Sequence, residues 1–205
     1  GNLITSSITF DVTNDTRDSI IDTTTGRKHS LSVTMAGLGG NTAFWKSLLD
    51  FGWYLPVFEE STLHLRGRLG MSAMMFDKKY PLYQRFYVGG PDTIRGLDYG
   101  EAGPKDSDDD PIGAKKMMVF NVEYLFPLVS EMKLKGLVFV DTGKGWNNGI
   151  LKLGESEDAD IKYTSGVGIR WISPFGPVKI DYGVNLNKKK GESGSKIEFG
   201  FGSFF

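Results

Sequence analysis

Two histidines, His29 and His64, and no cysteine leave this chain poorly equipped for metal or nucleophilic chemistry. Without Cys there are no disulfides or thiolate sites, and two imidazoles cannot furnish a three-histidine zinc centre. The acidic run Asp106, Asp108, Asp109 and Asp110 lacks the central Gly and closing Glu of an EF-hand loop, so it reads as a solvated tip. Gly143-Lys144-Gly145 lacks the spaced first Gly and the Ser or Thr of a phosphate loop. Gly166-Val167-Gly168 and Gly200-Phe201-Gly202 sit inside strand patterns rather than ahead of a helix. No Ser stands in a Gly-x-Ser-x-Gly elbow. Not an enzyme, with no metal and no cofactor, is therefore the expectation. With 24 Lys plus Arg against 25 Asp plus Glu, no nucleic acid is expected as a partner either.

What remains is chemistry of position, which depends on the elements. Ile197, Phe199, Phe201 and Phe205 share one parity while Glu198, Gly200 and Gly202 share the other. Such alternation predicts a strand. The same period sets Val178, Ile180, Tyr182 and Val184 against Lys179, Asp181 and Gly183, and Tyr163, Val167, Ile169 and Trp171 against Thr164, Gly168 and Arg170. It sets Val138 and Val140 against Phe139 and Asp141, and Phe120, Val122, Tyr124 and Phe126 against Asn121 and Glu123. Leu63, Leu65 and Leu69 oppose His64, Arg66 and Arg68; Trp45, Leu49, Phe51 and Trp53 oppose Lys46, Asp50 and Tyr54. Leu31, Val33 and Met35, then Ile8, Phe10 and Val12, complete about nine predicted strands.

Several of these strands approach the roughly 9–11 residues that cross a bilayer at a tilt, whereas apolar runs such as Leu137–Val140 fall far short of a membrane helix. In a soluble sandwich the face turned from the core would carry Lys, Glu and Thr throughout. Here the polar face instead mixes charges of both signs with glycine, as suits the inside of a wet barrel, and 27 glycines fit curved sheet. Trp45, Trp53, Tyr54, Tyr124, Trp171 and Tyr182 are placed where an aromatic girdle would lie. Connections such as Ser173–Pro177 and Pro127–Glu131 are short, and 147–160, 187–195 and 77–115 are long, which predicts a periplasmic and an extracellular rim. The fold class expected is all-β, an antiparallel transmembrane β-barrel. By themselves nine strands could be the C-terminal part of a larger barrel, a small barrel, or half of an oligomer.

The segment 77–115 is too long for a mere connector. Within it, Gly89-Gly90 is followed by Ile94-Arg95-Gly96-Leu97. This string resembles the loop-six signature of the BamA outer-membrane assembly superfamily, Gly-Gly, a short spacer, then Val-Arg-Gly-Phe, with conservative departures at Ile94 and Leu97. The segments Asn121–Tyr124, Phe139–Gly143 and Arg170–Pro177, then a Phe-ended strand, follow in the family's order.

The resemblance spans essentially the whole chain but only the C-terminal part of the family barrel. It implies that residues 1–205 form a single transmembrane β-barrel domain, excised from a longer chain with N-terminal POTRA modules. It also implies that the long extracellular loop folds into the lumen, with Arg95 paired to Glu123 and Asp141 on the wall. Both acids fall independently on the polar parity. The implied function is to fold and insert β-barrel proteins into the cell outer membrane. Partners would be the lipid bilayer, unfolded outer-membrane proteins and, through the POTRA modules, assembly-complex lipoproteins. A two-partner-type secretion pore and a soluble β-sandwich binding module are the alternatives. Phe199, Phe201 and Phe205 resemble the C-terminal strand signal of outer-membrane proteins.

Overall fold

Alternating side chains along the chain build nine strands in the computed structural model, which describes residues 2–76, 78, 80–148 and 160–202. They are β1 (Thr5–Asp15), β2 (Gly26–Gly40), β3 (Phe44–Pro56), β4 (Thr62–Met74), β5 (Lys116–Val129), β6 (Leu134–Trp146), β7 (Lys162–Ser173), β8 (Gly176–Asn185) and β9 (Ser195–Phe201). Each pairs antiparallel with its neighbour in sequence, so one sheet runs in the order β1 to β9 with those two strands at its edges. Eight of the nine, β1 to β8, have 10 to 15 residues, enough to cross a bilayer at a tilt.

The faces are inverted relative to a soluble protein. Outward lie Val122, Val140, Val167, Ile169, Ile180 and Tyr182, all exposed. The other face of the same strands carries Asn121, Glu123, Asp141, Thr164, Arg170 and Asp181, all buried. A side-chain period of two enforces this, because each one-residue step turns the next side chain to the opposite face. Apolar groups outside and charges inside is the stable arrangement when the outer solvent is hydrocarbon and the lumen is polar. Phe199 and Phe201 point outward, 68% and 61% exposed; Phe205 lies outside the described residues.

Connections 41–43, 75–115, 147–161 and 186–194 share one rim, and 16–25, 57–61, 130–133 and 174–175 share the other. Most of 147–160 lies outside the described residues. Two connections depart from the expected short-long division. Residues 41–43 turn tightly on the long-loop rim, and 16–25 is long on the short-turn rim. The latter folds beneath the sheet instead of projecting. Asp22 ion-pairs with Lys135 of β6, Thr23 is buried, and Arg17 forks onto Asp15 at 2.9 and 2.8 Å. Tyr54 also departs from the girdle reading: it is 4% exposed and stacks on His64 with ring centroids 4.3 Å apart. It shares inward parity with Gly52, and that parity outweighs its aromatic character.

Long loop 75–115 enters the concave side and carries a dry core of its own. Phe86, Val88, Ile94, Leu97 and Ala102 pack on Met117 and Val119 of β5. The inner wall thus changes along β5, from apolar Met117 and Val119 near the loop rim to Asn121 and Glu123 below.

Candidate functional site: a loop arginine clamped to the barrel wall

The loop motif begins with a reversal that only glycine accommodates easily. Gly89 and Gly90 have φ of +124° and +99°. Gly89 donates its N–H to Thr93 Oγ1 at 2.7 Å, and Gly90 and Ile94 close the turn at 3.0 Å. Ile94 and Leu97, both fully buried, seat the motif in the loop core and leave Arg95 between them facing the wall. Asn121 donates to the Thr93 carbonyl at 2.8 Å, and Arg68 donates to that of Asp92, which ties the approach to β5 and β4.

Arg95 is 5% exposed. Its Nε and Nη2 donate to the two oxygens of Asp141 at 2.8 and 2.7 Å, and its backbone N–H reaches Asp141 Oδ2 at 3.0 Å. Nη1 donates to Glu123 Oε1. The guanidinium lies over the Phe139 ring, 3.7 Å from its centre. This is fork-on-carboxylate geometry closed on one side by an aromatic face, which a lysine cannot reproduce.

The elements set this up. Asp141 and Phe139 lie two apart on β6 and so share the inward face, and Asn121 stands opposite Asp141 in the β5–β6 register, with Glu123 one inward position further. Gly96, at φ +83°, packs against Gly183 of β8 so closely that a Cβ on Gly96 would come within 2.6 Å of the Gly183 backbone. Two glycines facing each other let the loop lie directly on the wall.

Around the clamp are residues that the motif did not single out. Asp181 of β8 is 3.8 Å from Arg95 and is itself gripped by Arg170 of β7 at 2.7 and 2.9 Å. His64 Nδ1 meets Glu123 Oε2 at 2.9 Å. Inward parity was the visible signal for Asp181 and His64, and for Arg170 parity and its place at the head of the Arg170–Pro177 segment; nothing in the spacing pairs Arg170 with Asp181 or His64 with Glu123. Beneath the clamp lies a cavity of about 360 Å³ bordered by Arg66, Asp92, Glu123, Arg170 and Lys179. No group of three or more His, Cys, Asp or Glu among the described residues is arranged to hold a metal. Buried charges of this kind are satisfied mutually, and the arrangement holds a loop in place; no nucleophile with a paired base is assembled in it.

An antiparallel sheet with an apolar exterior, a charged interior and a loop clamped to its inner wall defines the class: part of the wall of a transmembrane β-barrel. The comparisons narrow it. Residues 1–205 match the Omp85 superfamily domain, and the chain belongs to that superfamily. It is 31% identical over 198 residues to the outer membrane protein assembly factor BamA of Nitratidesulfovibrio vulgaris, covering 94% of this chain and 25% of that protein. It is 24% identical to BamA of Neisseria meningitidis serogroup B, covering 92% of this chain and 27% of the relative. The fold matches the crystal structure of BamA from Haemophilus ducreyi lacking POTRA domains 1–3, with a TM-score of 0.81, 21% identity, and 94% of this chain and 41% of that one covered. The chain therefore spans about a quarter of the length of these two relatives. Its place is the outer membrane.

Proposed function

We propose that this chain is the C-terminal part of the barrel of an outer-membrane assembly factor, which folds and inserts β-barrel proteins into the outer membrane. The observation that carries the reading is the bidentate Arg95–Asp141 clamp, which seats the long loop in the lumen within a chain whose relatives are named for assembly. The mechanism is positional rather than covalent, so the protein acts without being an enzyme. A braced loop holds the concave wall in shape, while the outer edge of the terminal strand β9 offers backbone groups to which an incoming strand can add. Residues 1–205 are one membrane domain of a longer protein. Its POTRA modules receive unfolded outer-membrane proteins and bind the lipoproteins of the assembly complex, and the bilayer itself is a partner through the apolar exterior.

Depleting the full-length protein in its own cells tests the reading. Barrel proteins should then disappear from the outer membrane while unrelated lipoproteins persist. Normal barrel-protein levels after depletion would remove assembly from consideration. Complementing with Arg95→Ala should restore the protein to the membrane but restore assembly poorly; full restoration would leave the barrel and remove the strut.

A further inference from the structure

The loop's attachment does not stop at Arg95. The Asp98 carboxylate accepts Nζ of Lys196 at 2.6 Å and Oγ of Ser193 at 2.7 Å. Glu101 accepts the backbone N–H of Ser193 at 3.0 Å through Oε1 and that of Asp98 at 2.6 Å through Oε2. The two acids are held in one turn, since Glu101 also donates its backbone N–H to the Asp98 carbonyl at 3.1 Å. Both partners on the far side bracket the start of β9: Ser193 precedes it and Lys196 is its second residue.

Among the described residues β9 is the shortest strand, with seven residues, and it stands at one edge of the sheet that this chain forms. Within this chain it pairs with β8, from Val184 opposite Ser195 to Val178 opposite Phe201. Strand ends with few partners open at low free energy. A small added restraint at such an end therefore shifts the open population measurably. The turn at 98–101 is well placed to supply it, because the same loop is fixed behind it by Gly96 against Gly183 and by Arg95 on β6.

We propose that Asp98 and Glu101 form a clasp on Ser193 and Lys196 which fixes the start of β9 to the braced loop and so sets how readily the terminal strand peels from β8. Asp98 and Glu101 are thus positioning residues for the edge strand. The inference rests on the assembly reading only for its consequence, the availability of that edge to an incoming strand. The side chains of Lys196 and Asp98 are 40% and 56% exposed, so salt screens this pair, while Glu101, 7% exposed, is shielded. The clasp is accordingly a light one that tunes fraying rather than holding the barrel together.

Hydrogen–deuterium exchange on the full-length protein in lipid nanodiscs tests it, comparing wild type, Asp98→Lys, Lys196→Asp and the double exchange. Each single change should speed exchange of the β9 amides about two- to fivefold, with the amides of β5 and β6 around Glu123 and Asp141 unchanged. The double change, which restores opposite charges, should return β9 toward the wild-type rate. Unaltered β9 exchange in both single variants, a double variant no slower than the singles, or equal acceleration of β5 and β6 would each overturn the clasp. If Asp98→Lys fails to insert, Asp98→Asn with Lys196→Gln gives the same comparison without a repelling charge. Exchange is read with no substrate present, so its outcome stands apart from that of the depletion experiment.

Discussion

Arg95 concentrates the energetics at the scale of single residues. It brings one cation to two buried carboxylates, and a third, Asp181, is already neutralised by Arg170. Removing one partner from a buried ion pair typically costs about 3–5 kcal/mol, because the other charges stay behind unpaired. Arg95→Ala should therefore destabilise the folded loop by an amount approaching that range, less where lumenal water enters. Arg95→Lys should recover only part, since one ammonium cannot make the paired bonds to Asp141 and lie flat on Phe139. Denaturant unfolding of the barrel in lipid, followed through the Trp residues, measures both. Equal stability of the Ala variant and wild type would mean that the clamp contributes nothing. The family resemblance of the loop motif, together with the inward parity of the two acids, makes Arg95, Glu123 and Asp141 readable in the sequence. Asp181 and His64 were readable only as inward-facing polar residues, and Arg170 only as that and as the first residue of a family-like segment, since the partner of each sits on another strand.

At the scale of elements, the alternation that draws each strand also decides which substitutions hurt. Val140 stands at the middle of β6 and is 50% exposed on the outer face. Val140→Lys should cost about 2–4 kcal/mol in the folding free energy of the membrane-inserted barrel. Phe201 pairs with Val178 beside the 174–175 turn, so it lies near a rim, and Phe201→Lys should cost only about 0–1 kcal/mol. Similar costs at the two sites, measured by reversible unfolding in lipid, would contradict the depth assignment. The clasp at the head of β9 adds a pH signature. The Lys196 ammonium and the Ser193 hydroxyl bonded to Asp98 hold its carboxyl below the usual carboxylate value of 3.8. A depressed folded pKa means that the contribution is complete above the unfolded value and disappears as pH falls through the folded one. Exchange at the start of β9, corrected for intrinsic rate, should thus be flat from neutrality to about pH 4 and rise only below it. A rise centred near pH 6 would implicate a different group.

At the scale of the whole molecule, a chain covering about a quarter of its BamA relatives carries the loop, the wall that receives it and the terminal strand together. We propose that the terminal alternation through Phe199 and Phe201 to Phe205 is a signal for membrane insertion. If it serves as an insertion signal, deleting Phe205 from the full-length protein should slow insertion in cells more than it lowers the stability of the finished barrel. Pulse-chase insertion and unfolding measured side by side separate the two, and equal effects would reduce Phe205 to an ordinary girdle residue.

Strand number, the dry and polar faces and the length of the entering loop follow from the sequence by itself, because a period of two is a local property that each segment carries within it. The partners on the inner wall were decided by the tertiary structure. Arg95 reaches Asp141 across 46 positions, Asp98 reaches Lys196 across 98, and Lys135 reaches Asp22 across 113. Tyr54, inward by parity, found its stacking partner in His64 of the next strand, and 16–25 folded under the sheet instead of hanging free. Such pairings depend on the summed register and curvature of several strands, and those emerge only when the sheet twists around its loop.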